Sequence, residues 1–286
     1  MRSRFAILLA VAAVCVTAAW AEWTPEVLVT DGGSSSRTLY FNNSRKLVFA
    51  PDGVGHVIWH GDGRIGCNRY DPLSGWDTDY QVNLTGNYPA VALDADGTTI
   101  HVVWQDTYLF YRKCTRGQGG GDEWGAVESP YNAHAVSVPG PAVACVPGDP
   151  NHVVVCWGEE FSTGGKKPKT ARAIGFTECI DGTWGTPIRL DSNTTYGRSF
   201  PSIAVAPNGD VFIAYWSNDD NSSSEWLTKQ VYVKTRHNGV WGATVDVTLP
   251  WAAERSTMPA IEVNPYTGNP HVVFDWSKVV KVSKKP

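Results

Sequence analysis

Phe200 to Trp216 reads F-P-S-I-A-V-A-P-N-G-D-V-F-I-A-Y-W. A proline opens a short apolar run, Pro-Asn-Gly turns the chain, and a second run rich in aliphatic and aromatic residues closes on tryptophan. Two β-rich runs around an Asn-Gly turn are the sequence form of a β-hairpin. The phrase is not unique. It starts at residues 45, 89, 141, 201 and 259, in steps of 44, 52, 60 and 58 residues that differ through loop insertions. In an all-β chain a period of this size predicts a solenoid or a propeller.

Each copy continues alike. After the tryptophan comes a polar loop and a third run: Arg64-Ile-Gly-Cys67, Tyr108-Leu-Phe-Tyr111, Ala173-Ile-Gly-Phe176, Gln230-Val-Tyr-Val-Lys234 and Val279-Val-Lys-Val282. A fourth run opens on Trp76, Trp124, Trp184 or Trp241. Four strands per unit, here A to D, repeated around an axis are the blades of a β-propeller. The fifth copy has no fourth strand, but Glu22-Trp-Thr-Pro-Glu-Val-Leu-Val29 matches Thr183-Trp-Gly-Thr-Pro-Ile-Arg-Leu190 in pattern. The expectation is an all-β, five-bladed propeller in one domain, residues 22–286. Its blades cover about 45–84, 88–130, 140–191, 200–248, and 259–286 completed by 22–30. That arrangement leaves no ragged sheet edge. The alternative is an open array whose first and last strands do not meet. Ten tryptophans fall at the ends of B or the starts of D, which assigns them to packing between blades.

Arg2 and Arg4 precede an apolar run from Phe5 to Val16, and Ala19-Trp-Ala21 supplies small residues for a signal peptidase, so residues 1–21 read as an export signal. The expected product is a monomer, secreted or periplasmic, with no membrane-spanning segment. Removing the leader takes two of the 24 basic residues and none of the 28 acids, moving the net charge from −4 to −6. That balance excludes nucleic acid, whose phosphates call for clustered Lys and Arg. Cys67, Cys114, Cys145, Cys156 and Cys179 remain, with no C-x-x-C spacing for a metal. Cys145 and Cys156 sit on two arms of one hairpin and are the natural bridge; buried thiols are the other reading. No cofactor is expected. Asn218 to Glu225 offers hard oxygen donors to Ca²⁺ without the spacing of a known loop.

The repeat resembles those of sialidase-like, Asp-box (BNR) propellers over the whole of residues 22–286. In that family the turn from C to D carries S-x-D-x-G-x-x-W. Here the nearest forms are Asp181-Gly-Thr-Trp184 and Asn238-Gly-Val-Trp241, two residues shorter between acid and tryptophan. The family also carries Phe-Arg-Ile-Pro, against which Arg198-Ser-Phe-Pro201 has its arginine one residue early. Its tyrosine–glutamate pair and acid–base aspartate have no counterpart by motif. The resemblance implies the fold and leaves catalysis without matching residues.

In a propeller the D-to-A and B-to-C loops share one face, at the mouth of the central channel. Trp226 and Trp251 lie outside the repeat and fall in these loops, where exposed indoles are platforms for sugar rings or pins for their own loops. Arg45, Arg198 and Arg255 precede strand A in three blades, and His60 follows a B strand. Converging guanidinium groups would clamp an anionic sugar; the same arginines can instead pair with nearby acids. Asp106, Glu159 and Asp219 are the candidate carboxylates for glycoside hydrolysis, which needs two. The leading expectation is therefore a binder of carbohydrate or another extracellular ligand. The rivals are a glycoside hydrolase and a structural module of the cell envelope.

Overall fold

The computed structural model describes residues 45–78, 80–117, 121–132, 138–162, 170–191, 197–218, 229–248 and 255–277, and every element among them is a β-strand. The first sheet runs β1 (Leu47–Phe49), β2 (Gly55–Gly61) and β3 (Arg64–Asp71), its outer position shared by β4 (Gly75–Trp76) and β5 (Tyr80–Asn83). The second repeats this with β6 (Asn87–Leu93), β7 (Thr99–Gln105), β8 (Leu109–Thr115), β9 (Glu123–Trp124) and β10 (Glu128–Tyr131). The third has β11 (Val138–Cys145), β12 (His152–Ser162), β13 (Thr170–Ile180), β14 (Thr183–Trp184) and β15 (Ile188–Asp191). The fourth is β16 (Gly197–Val205), β17 (Val211–Asn218), β18 (Lys229–His237) and β19 (Val240–Asp246); the fifth pairs β20 (Arg255–Val263) with β21 (Pro270–Ser277). All pairings within these sheets are antiparallel. The expected strands over 22–30 and 279–282, and the leader, lie outside the described residues.

The first strands of the sheets, β1, β6, β11, β16 and β20, lie beside one another in chain order. Each pair of consecutive sheets encloses one apolar cluster. Ile58 and Ile65 meet Val91, Ile100 and Trp104 between the first two, and Ala90, Val103 and Tyr111 meet Val155 and Trp157 between the next. Cys156, Ile174 and Phe176 meet Ile213 and Tyr215 between the third and fourth; Ala204 and Ala214 meet Ile261 between the fourth and fifth. Strand side chains alternate between faces, so central strands that are apolar on both faces bury both, as β2 does along its whole length. Sheets stacked face to face with their first strands side by side make a fold of the β-propeller kind. An ion pair between Arg45, just ahead of β1, and Glu262 of β20 joins the first sheet to the fifth.

The repeated proline marks a bulge inside the strand, where the sequence suggests a strand start. Tyr88, Gly140, Phe200 and Met258, each just before it, have φ of +52°, +99°, +52° and +52°. The pairing slips there, between Asn87 and Ala90, Val138 and Ala142, Ser199 and Ser202, and Thr257 and Ala260. A bulge tolerates a residue without an N–H. The strands therefore begin earlier than the phrase, which puts Arg198 and Arg255 inside β16 and β20.

The tryptophans pack between sheets in a regular way. Trp124 of the second sheet stacks on Tyr80 of the first at 5.3 Å and 8°. Trp184 of the third meets Tyr111 of the second edge-on at 5.0 Å, and Trp241 of the fourth meets Phe176 of the third at the same distance. Trp59 of β2 and Trp157 of β12 lie across a glycine on the next strand. A Cβ on Gly66 would come within 2.1 Å of Trp59, and one on Gly175 within 2.3 Å of Trp157. That is why the third run reads Ile-Gly in both blades. The shortened Asp-box forms also find their reason: Asp181-Gly182 and Asn238-Gly239 have positive φ at both residues, as a tight hairpin turn requires.

Of the two readings of Cys145 and Cys156, a bridge or free thiols, the structure has the thiols. Cys145 pairs with Val153 and Cys156 with Ala142, so strand alternation turns them to opposite faces of the third sheet. All five cysteines among the described residues are thiols. Burial pushes Cys114 and Cys145 up to about 12, which keeps both protonated and unreactive at neutral pH.

His101, 3% exposed, bonds the Tyr111 hydroxyl through Nδ1 at 2.8 Å. Burial, outweighing nearby Asp94, lowers its pKa from 6.5 to about 4. The unfolded chain takes up this proton near pH 6.5 and the folded chain only near 4. Its contribution is thus fully present above pH 6.5 and lost as the pH falls towards 4, by about 3 kcal/mol in all. In urea denaturation at pH 7 and 4.5, His101→Phe is expected to lose less stability on acidification than the parent protein.

Candidate functional site

The residues proposed for the loop face fall into three groups. Asp219, Trp226 and Trp251 lie outside the described residues, and Arg198 and Arg255 are described by their backbones alone. Asp106 is exposed in the turn between β7 and β8, and His60 is buried at 6% exposure on the face of β2 that meets the second sheet. Arg45 gives its guanidinium to Glu262, a partner on β20 and not one of the B-to-C loop acids beside it.

Glu159 sits at the centre of a network. Its side chain is 1% exposed, and it accepts hydrogen bonds from the Tyr131 hydroxyl at Oε2 and from Arg189 Nε at Oε1. The register brings the three together. Arg189 pairs with Gly175, which pairs with Trp157, so Arg189, Trp157 and Glu159 share the face of the third sheet turned towards Tyr131 of the second. Tyr131 in turn packs on Trp157 at 4.8 Å, and the Arg189 guanidinium lies 4.0 Å over the Phe161 ring. Burial and the Glu159 carboxylate push the Tyr131 hydroxyl well above its ordinary range, so it stays protonated as a donor. Nothing local in the sequence links Tyr131, Glu159 and Arg189; only strand alternation across two sheets could have found them.

Other polar bridges follow the same plan. Glu178 accepts from His152 and from Arg236 of the fourth sheet, both at 2.9 Å, and the Trp184 indole donates to Glu128 of the second sheet at 2.7 Å. The Tyr215 hydroxyl donates to Asp191 of the third sheet at 2.9 Å. Along the first strands a cavity of about 410 Å³ is lined by Arg45, Leu47, Phe49, Leu93 and Asp94. Asp94 is buried and held by the Thr98 amide and hydroxyl at 2.7 and 2.9 Å.

General acid catalysis on a glycoside calls for a carboxyl raised towards neutrality. The described carboxylates with displaced ionisation go the other way. Arg116 lowers Asp52, the Leu73 amide lowers Asp71 and His152 lowers Glu178. Burial opposes the effect at Asp122 and Asp210, but hydrogen bonds from His56 and His237 prevail. These groups accept hydrogen bonds and hold charge; they are not poised to give a proton. Among the described residues no group of three or more His, Cys, Asp or Glu side chains could hold a metal ion, and no helix is long and apolar enough to cross a membrane.

No protein-family model matches the chain, and no curated protein matches its sequence. Solved structures do match in fold. An α-L-arabinanase from Penicillium chrysogenum, complexed with arabinobiose, aligns with a TM-score of 0.53 at 12% identity, covering 85% of this chain and 77% of that one. An ulvan lyase bound to a GlcA(1-4)Rha3S saccharide gives 0.53 at 14% identity, over 80% of this chain and 65% of that one. A protein of unknown function from Dyadobacter fermentans gives 0.52 at 12%, over 83% and 77%. At these identities the likeness establishes the fold, which glycan-acting proteins share.

Proposed function

We propose that the chain is an exported five-bladed propeller that binds a saccharide on the face of its D-to-A and B-to-C loops. The Arg45–Glu262 pair between the first and fifth sheets supports a closed ring. So does the burial of Trp59 and Val57, on the face of the first sheet turned away from the second. In this reading residues 22–30 supply the last blade's outer strand. Deleting Trp23 to Val29 then yields an unfolded or oligomeric protein in size-exclusion chromatography; a stable monomer contradicts the split blade.

Two structural neighbours act on glycans, by their own descriptions, and that supports a saccharide as the ligand class. The observation that carries binding over hydrolysis is Glu159. A carboxylate with one oxygen on Arg189 and the other on Tyr131, its side chain enclosed between two sheets, serves their packing and not the loop face. Arg45 serves ring closure and His60 is enclosed between the first two sheets, while Trp226 and Trp251 stack on the sugar and Arg198 and Arg255 hold its polar groups. Calorimetry with a saccharide selected on a glycan array is expected to show Trp226→Ala and Trp251→Ala each weakening binding about tenfold or more, the scale of one lost aromatic contact. If both substitutions leave affinity unchanged, the loop-face site is wrong. Turnover of fluorogenic arabinosides or sialosides would favour the hydrolase reading.

A further inference from the structure

The opposite face, where the A-to-B and C-to-D turns lie, carries two cavities along the seam between the first and second sheets. The larger, about 460 Å³, has Asp52, Asp71, Asp96 and Arg116 in its walls. The smaller, about 210 Å³, is lined by Asp77, Thr78, Tyr80, Asp122 and Trp124 together with Cys67. Arg69 lines both, so they are neighbours in one groove.

The smaller cavity joins a flat apolar wall to fixed polar groups. Trp124 is faced by the Arg112 guanidinium at 5.5 Å and by Tyr80 at 5.3 Å, nearly parallel. Tyr80 is thereby backed by the Trp124 ring, and at 44% exposure it presents the cavity with a flat aromatic platform. Asp122 is anchored from below. His56, 1% exposed, bonds Oδ2 at 2.8 Å, and the Gly117 amide donates to Oδ1 at 3.2 Å. These bonds fix the carboxylate's orientation at the cavity wall. Asp77 is half-exposed beside it.

Charge decides the class of ligand. The two cavities have five carboxylates and two guanidinium groups in their walls. Both arginines are already committed: Arg69 to Asp71 at 3.1 Å and Asp77 at 3.4 Å, and Arg116 to both oxygens of Asp52 at 3.0 and 2.8 Å. Among the described lining residues no guanidinium is left over for a uronate or a sulfate, and the excess of carboxylates repels one. Neutral hydroxyls, which donate to carboxylates and leave a C–H face for stacking, suit this wall. We propose that this seam is a second saccharide site, separate from the loop face and selective for neutral sugars. One sugar unit lies against Tyr80 and donates hydroxyls to Asp122 and Asp77. The chain continues past Arg69 into the larger cavity.

The test uses the full chain, with arabinohexaose and cellohexaose as neutral probes and hexagalacturonate as the acidic one, followed by calorimetry. A neutral hexamer is expected to bind, the uronate to fail, and Tyr80→Ala to weaken the neutral ligand at least tenfold. Asp77→Asn, at a half-exposed position that does not threaten folding, is expected to weaken it severalfold. A loss of neutral-hexamer binding caused by Tyr80→Ala or Asp77→Asn reports on this seam, and a loss caused by Trp226→Ala or Trp251→Ala reports on the loop face, so failure of one site is read separately from failure of the other. The proposal is overturned if neither neutral hexamer binds, if Tyr80→Ala and Asp77→Asn both bind like the parent, or if the uronate binds equally well.

Discussion

Replacing Trp157 by alanine is expected to lower stability by about 3–5 kcal/mol, the range for deleting a large aromatic from a packed core. The ring is 1% exposed, lies in the cluster between the second and third sheets, covers Gly175 and packs on Tyr131 at 4.8 Å. Its loss leaves a cavity that two opposed sheets cannot collapse to fill. The reverse change makes the same point. Gly175→Ala puts a Cβ within 2.3 Å of the indole, and is expected to cost about 1–3 kcal/mol as overpacking. In the double substitution the alanine at 175 meets no ring, so the two costs are expected to be less than additive. Equilibrium urea denaturation of the four proteins reads this directly. A cost below about 1 kcal/mol for Trp157→Ala would contradict the packing described.

Arg189→Ala is expected to cost a similar 3–5 kcal/mol, because it strands a buried carboxylate without its cation. Glu159 is almost wholly enclosed, whereas Arg189 is about one-third exposed. The two halves of the pair are therefore unequal. Removing the acid by Glu159→Gln frees an arginine that water can reach, and is expected to cost about 1.5–3 kcal/mol, the worth of hydrogen bonds to a charged group. Replacing both, as Glu159→Leu with Arg189→Met, is expected to recover most of the loss. Thermal and urea denaturation at pH 7 measure the order. If Glu159→Gln proves the more damaging single change, the carboxylate is not the group whose burial depends on its partner.

The repeat was legible because propeller packing writes itself locally. A tryptophan on strand B with a glycine facing it on strand C marks the first and third sheets, where the indole lies across the neighbouring strand, as Trp59 with Gly66 and Trp157 with Gly175. The hairpin turns were legible for the same reason, since Asp181-Gly182 and Asn238-Gly239 supply the left-handed backbone themselves. The bulge before each proline was not, because it depends on slippage against the partner strand. Side-chain partners were the least legible. Arg45 reaches Glu262, 217 residues away, and Glu159 meets Tyr131 from another sheet. Sequence neighbours suggested the loop acids, but in stacked sheets the nearest charge comes from the facing blade. The seam groove is not legible in the sequence for a related reason. Tyr80, Trp124, Asp122 and His56 belong to different strands and turns, and only the stacking of the first two sheets assembles them.

The loop face is proposed to hold a saccharide without cleaving it. Incubating the protein with a glycan array and analysing the retained sugars by mass spectrometry decides between holding and cleaving. The prediction is that at least one glycan is retained and recovered intact. Retention of none, or recovery of cleaved products, would contradict it.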